Sequence, residues 1–292
     1  MNAILKGYLQ LMRPANLPTA AADIFAGAAL AGFLSAPFLE SNIFYLVLSS
    51  VCLYAGGVVL NDVFDYNLDK IERPERPIPK NLIPLKSAAI FGSALLLIGI
   101  LLAFFVSNLS GILALALSCA IVVYDAYSKK NDFLGPLNMG LCRGLNLILG
   151  MSIFGALNSW WYAIIPLVYI FAITLISRGE VHGNNKNHII WAGALYAMVI
   201  LAVVSIVMTK TDNIFQTVPF LALFAFLVFK PLINAFKLNS PKNIKKAVVS
   251  GVLAIIALDA CLAVGFSVWW FGLLILLLLP LSILLSKIFS VT

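Results

Sequence analysis

A succession of about ten apolar segments, each of roughly 18 to 22 residues, limits this chain more than any other feature, because that is the length with which a helix crosses about 30 Å of hydrocarbon. The segments run over 16–34, 43–63, 86–106, 109–127, 135–156, 159–178, 188–208, 214–235, 246–267 and 269–288. Only short polar stretches separate them, which leaves no room for an appended soluble catalytic domain or a Rossmann domain. Composition agrees: 62% of the 292 residues are hydrophobic and 11% charged, against about a quarter charged in a soluble globular chain. The expected fold class is all-α, a polytopic membrane helical bundle forming one transmembrane domain over 1–292. Its function then sits inside the membrane or at its edge. The first segment contains Asp23, follows only Lys6 and Arg13, and lacks a small-x-small cleavage site. An uncleaved first helix is expected, not a signal peptide.

Basic residues test the segment count independently, because cytoplasmic loops retain Lys and Arg. Of the 19 basic residues, all but Arg143 and Lys210 fall at the two ends or in the loops that a ten-span layout puts on one side. An integral protein of the cytoplasmic membrane is expected, with both termini and the motif loops cytoplasmic. The net charge of +7 then reflects topology and attraction to anionic membrane lipids. No extended basic surface remains for nucleic acid. Cys52, Cys119, Cys142 and Cys261 stand singly, without metal or redox spacing. Gly-rich phosphate loops, HExxH and nucleophile elbows are absent from the sequence.

The chemistry concentrates where the second span ends, in Asn61-Asp62-Val63-Phe64-Asp65-Tyr66-Asn67-Leu68-Asp69. On one continuous helix, Asp62, Asp65 and Asp69 would lie within about 60° of one another over roughly 10 Å. Three carboxylates there repel one another, and the macrodipole at a helix C-terminus opposes them too, so the arrangement calls for a cation. Oxygen-only ligands select a hard ion such as Mg²⁺, which commonly bridges carboxylates to phosphates. The following run, Lys70 to Lys80, alternates prolines with cations and presents Arg76 and Lys80 from a stiff loop.

NDxxDxxxD followed by an RPIP segment, after a first helix opening with Arg13-Pro14 and Asn16, resembles the UbiA superfamily of intramembrane prenyltransferases from about residue 10 to 267. The resemblance implies nine or ten transmembrane helices around a lateral, lipid-accessible cavity; the usual count is nine, so segment 269–288 departs from it. It also implies Mg²⁺ on Asp62, Asp65 and Asp69, holding the diphosphate of a polyprenyl donor. In the family's second acidic motif, the matching positions are Ser177, Glu180 and Asn184, of which only Glu180 is acidic. Glu180 is therefore expected as the fourth catalytic and metal-binding carboxylate. His182 and His188, the two histidines, fall in the same loop, and SRGEVHG at 177–183 looks like the EboC-type UbiA-like subgroup.

Substrate contacts are expected from Asn16, Asn61, Arg76, Tyr124, Lys129, Arg143, Asn146, Ser177, His182 and Asn184. By resemblance Lys129 is a phosphate ligand and Tyr124 a wall for a carbocation, whereas Tyr127 and Lys130 also read as interfacial anchors. Arg143, inside the fifth span, needs an anion, for which Asp23, Asp125 and the substrate are the candidates. Asp259 reads as a hydrogen bond to a neighbouring helix. Trp160, Trp161, Trp269 and Trp270 read as an aromatic belt at the far interface. A 3-then-4 spaced polar motif ends two spans, at 61–69 and 177–184, a weak internal repeat that would bring both motifs to one diphosphate. The expected function is Mg²⁺-dependent transfer of an isoprenyl group to a lipophilic or aromatic acceptor that the sequence does not identify, with an aromatic one favoured. The alternative is a lipid-diphosphate binding or metabolite-export protein that keeps the fold and has lost turnover with its second motif.

Overall fold

The computed structural model describes residues 2–35, 41–180 and 183–289. Among them the secondary structure is helical throughout: α1 (Ala3–Met12), α2 (Leu17–Leu30), α3 (Asn42–Phe64), α4 (Tyr66–Glu72), α5 (Leu85–Val106), α6 (Asn108–Ala126) and α7 (Leu134–Met151), then α8 (Ile164–Ser177), α9 (Lys186–Lys210), α10 (Ile214–Lys237), α11 (Pro241–Phe266), α12 (Trp269–Leu276) and α13 (Leu278–Ser286). Nine helical stretches among the described residues are long and apolar enough to cross a membrane. They match nine of the ten expected segments, including the last. The first expected span is the shorter α2, 14 residues and so about 21 Å long. Pro14 to Asn16 form a 3₁₀ turn before it, and Gly32 at φ +83° stops it, since that backbone favours glycine.

Small residues let α2 sit in the centre. A Cβ on Gly27 would come within 2.2 Å of the Leu147 carbonyl oxygen, and one on Gly150 within 2.6 Å of the Ile24 carbonyl oxygen. Helices α2 and α7 thus cross backbone against backbone, the close approach that small residues permit between membrane helices. One apolar core joins α2 to α7 through α12 and contains Tyr169, Tyr196 and Phe224; a second joins α2, α3, α5, α6 and α7. Helix α11 is the most enclosed span, with 78% of its apolar window buried. The segment expected at 269–288 is divided at Leu277 into α12 and α13. Helix α13 returns to the start of α2, where the Ser282 hydroxyl donates to the Ala15 carbonyl.

Candidate active site

A cavity of about 850 Å³ opens between the two cores. Its mouth is lined by Arg13, Asn16, Asn61, Asp62, Arg73, Arg76, Tyr124, Asp125, Glu180 and Lys245, its walls by Leu117, Ile121, Ile170, Ile173, Val248, Val252 and Ile255, and its depths by Thr19, Ser50, Arg143 and Asn146. A charged mouth flanked by apolar walls suits a ligand with a charged head and a hydrocarbon tail.

The aspartates do not share one helical face. Helix α3 stops at Phe64 and α4 begins at Tyr66, with Asp65 at the junction (φ −86°, ψ 3°). Asp62 and Asp69 turn to the same cation: Arg76 Nη1 lies 3.0 Å from Asp62 Oδ1 and 2.7 Å from Asp69 Oδ2. Asp65 turns away to Lys129 Nζ at 2.7 Å. The mutual repulsion expected of three unpaired carboxylates is thus offset by protein cations. Among the described residues no three His, Cys, Asp or Glu side chains gather within reach of one metal ion, so the expected four-carboxylate set is not assembled. Even so, two oxygens converge on one cationic position, and the donor set is entirely oxygen, so Asp62 and Asp69 suit a hard divalent ion.

Arg13 completes this corner, with Nη2 2.8 Å from Asp62 Oδ1. It caps α1 in the left-handed region (φ 48°, ψ 65°) immediately before Pro14. A non-glycine residue there is strained by about 1–3 kcal/mol, and such strain concentrates at functional sites. Arg76 is held inward by its loop: Pro77 accepts hydrogen bonds from the Leu82 and Ile83 amides, and Ile78 is buried beneath. Lys80 is exposed and does not line the cavity. The Asn61 amide donates to Asp125 Oδ1 at 2.7 Å. Lys129 reaches Asp65 and not the cavity surface.

On the opposite wall, Ser177 and Glu180 line the cavity, and the Ser177 hydroxyl donates to the Thr174 carbonyl. Glu180 faces cations: burial pushes its carboxyl above the ordinary value, while Lys245 and Arg73 pull it back. Asn184 is exposed, at φ +60°, and lies off the cavity. Its neighbour Asn185 is the buried residue, donating to the Leu175 and Ile176 carbonyls at 3.2 and 2.9 Å and contacting His188. His182 lies outside the described residues.

Deeper down, Arg143 has its anion in Asp23, with Nε 2.8 Å from Oδ2, and it also donates to Thr19. Asn146 donates to Asp23 and accepts from the Ser50 hydroxyl, both at 2.7 Å. Asp259 is buried in α11, and its Oδ2 has no hydrogen-bond partner among the described residues. The four tryptophans expected at the far interface are exposed.

Sequence reasoning gave no role to Arg73, Lys245 or Tyr54, and it cited Arg13 without one. Arg73 and Lys245 read as topology signals, like the other loop cations. The hint for Arg13 was its position directly before a proline, which restricts its backbone.

Residues 20–248 match the UbiA prenyltransferase family. The digeranylgeranylglyceryl phosphate synthase of Methanococcoides burtonii is 38% identical over 157 residues, 52% of this chain and 56% of that protein. The Saccharolobus solfataricus enzyme of the same name is 32% identical over 198 residues, 63% of this chain and 67% of its own length. Among solved structures, a UbiA homologue from Aeropyrum pernix superimposes with a TM-score of 0.70 at 15% identity, covering 85% of this chain and 97% of that one. A homologue from Archaeoglobus fulgidus, bound to DMAPP and Mg²⁺, superimposes with 0.65 at 15% identity, over 88% and 99% of the respective chains. With a bundle of this layout and a family match across most of its length, the chain belongs to the UbiA prenyltransferase family.

Proposed function

We propose that the protein transfers an isoprenyl group from a polyprenyl diphosphate to a hydroxyl of a glycerophosphate-type lipid, with Mg²⁺ as cofactor. The observation that carries this is the convergence of Asp62 and Asp69 on one cationic position, beside Arg13, at the charged mouth of a chamber with apolar walls. Asp62 and Asp69 would hold the ion, with Asp65 available once released from Lys129, and the ion would supply positive charge to the diphosphate. Glu180, expected as a metal ligand, lines the opposite wall with Lys245 and is given no part in holding the ion in this reading.

Arg13 and Arg76 exchange carboxylate for diphosphate oxygens as the donor enters, and Lys129 becomes free to do the same; such charge-assisted contacts to developing charge are a large catalytic contribution. The donor C–O bond breaks with its electron pair going to the diphosphate. The apolar walls keep water from the allylic cation, and Tyr54 and Tyr124 can offer ring faces to it. The acceptor hydroxyl then forms the new C–O bond and gives its proton to the released diphosphate. The glycerophosphate replaces the aromatic acceptor expected from sequence, on the strength of relatives named digeranylgeranylglyceryl phosphate synthase.

The test is diphosphate release by purified protein with Mg²⁺ and a series of prenyl diphosphates, offered geranylgeranylglyceryl phosphate or aromatic acceptors, with mass spectrometry of the products. An ether product from the glycerophosphate is expected. A prenylated aromatic product alone would return the acceptor to the aromatic class. Donor binding without any turnover would favour the non-catalytic lipid-diphosphate binder or exporter, the reading that the single acidic residue of the second motif supports.

A further inference from the structure

The mouth of the cavity carries two cations that the mechanism above does not use. Arg13, Arg76, Lys129 and Arg143 each have a carboxylate oxygen within 3.0 Å. Arg73 and Lys245 line the same cavity, yet among the described residues neither forms an ion pair, although Glu75 and Glu180 line the mouth with them.

The backbone brings them together. A Cβ on Gly179 would come within 2.5 Å of Asn185 Cβ and 2.9 Å of Ile244 Cδ1, so the turn after α8 is pressed onto the first turns of α11. Asn185 fixes that turn through the Leu175 and Ile176 carbonyls, and the Asn239 side chain accepts from the Asn185 amide at 2.8 Å. The residues next along, Glu180 and Lys245, both reach the cavity wall. Arg73 arrives from the end of α4, and with Lys245 it is the opposite charge that acts on the Glu180 carboxylate. Arg73 and Arg76 share one turn, in which the Arg76 amide donates to the Arg73 carbonyl at 3.1 Å. Arg76 turns to the aspartates, whereas Arg73 lines the cavity without an ion pair among the described residues. One short segment therefore supplies a paired and an unpaired cation to the same mouth.

Two cations that form no ion pair among the described residues, at the rim of a chamber with apolar walls, suit a phosphate attached to a lipid. The donor diphosphate already has its ligands in Arg13 and Arg76 if the function proposed above holds, and the present inference rests on that reading. We propose that Arg73 and Lys245 form a second anion subsite that takes the phosphate monoester of the acceptor lipid, with Glu180 accepting a hydrogen bond from that lipid's free hydroxyl. The two phosphate sites would adjoin along the Arg73–Arg76 turn, which would bring the acceptor hydroxyl to the side of the cavity where diphosphate departs.

Binding measurements on the full chain in phosphatidylcholine nanodiscs test this with three probes: geranylgeranylglyceryl phosphate, its dephosphorylated alcohol, and a non-reactive thiolodiphosphate analogue of geranylgeranyl diphosphate with Mg²⁺. Lys245→Gln and Arg73→Gln should each weaken the first probe about ten-fold or more while changing the other two by less than about two-fold. Lys245→Arg should retain most of the parent's affinity, and size-exclusion profiles check that the variants fold. Equal weakening of the first and third probes would overturn the proposal by making both cations diphosphate ligands. Equal parental affinity for the phosphate and the alcohol would overturn it too, as would equal competition by phosphatidylglycerol nanodiscs. If the parent fails to bind the thiolodiphosphate, the donor reading fails; phosphate-dependent binding through Arg73 and Lys245 would still support the subsite.

Discussion

Asp62 is tied to two arginines, and that changes what its removal should do. Asp62→Ala leaves Arg13 and Arg76 with less counter-charge in a largely enclosed corner, which costs roughly 1–3 kcal/mol. Three unpaired, repelling carboxylates would instead have made the substitution harmless to folding. The expected outcome is a lower unfolding midpoint together with lost binding of the thiolodiphosphate donor analogue; an unchanged midpoint would show that the ion pairs contribute little. Glu180 provides a pH test. Because folding raises its carboxyl, the protonated form favours the folded state. Its contribution is therefore complete below the ordinary glutamate value of 4.5 and fades as pH rises through the raised folded value. Glu180→Gln removes that loss. The thermal midpoint of the variant minus that of the parent should be near zero in mild acid and slightly positive near neutrality, and a clearly negative difference near neutrality would contradict it.

Among the elements, α2 depends most on backbone contact. Gly27 and Gly150 sit against the carbonyls of the facing helix, and a backbone cannot yield as a side-chain tip can. Gly27→Leu should destabilise the bundle by about 1–3 kcal/mol or more and displace Thr19 and Asp23 from Arg143, measurable as a lower denaturation midpoint in micelles. A midpoint equal to the parent's would mean that α2 and α7 are free to separate. The break at Asp65 matters in a different way, since the 3-then-4 spacing is compatible with one continuous helix. Asp65 sits instead between α3 and α4, where it meets Lys129. Helical periodicity carries no information about that interruption, because the competing partner comes from a segment more than sixty residues away in the chain.

At the scale of the whole molecule, the number of spans sets which side of the membrane each end faces. Tags at Met1 and Thr292 should be accessible from the same side of the membrane, since nearly all basic residues segregate only if the nine long spans are joined by α2 as a tenth crossing. Opposite accessibility would remove α2 from the count. By itself the sequence determined the membrane class, the positions of the spans and the motif end of the cavity, because lipid imposes a length and polarity rule that each segment obeys locally. It also marked Asp62, Arg76, Tyr124 and Glu180 as residues of one site. Only the tertiary structure decided which cation each acid meets: Arg13 with Asp62, Lys129 with Asp65, and Arg143 with Asp23 and not Asp125. Coulomb energy depends on distance in space, and these partners are brought close by helix packing that no local pattern encodes.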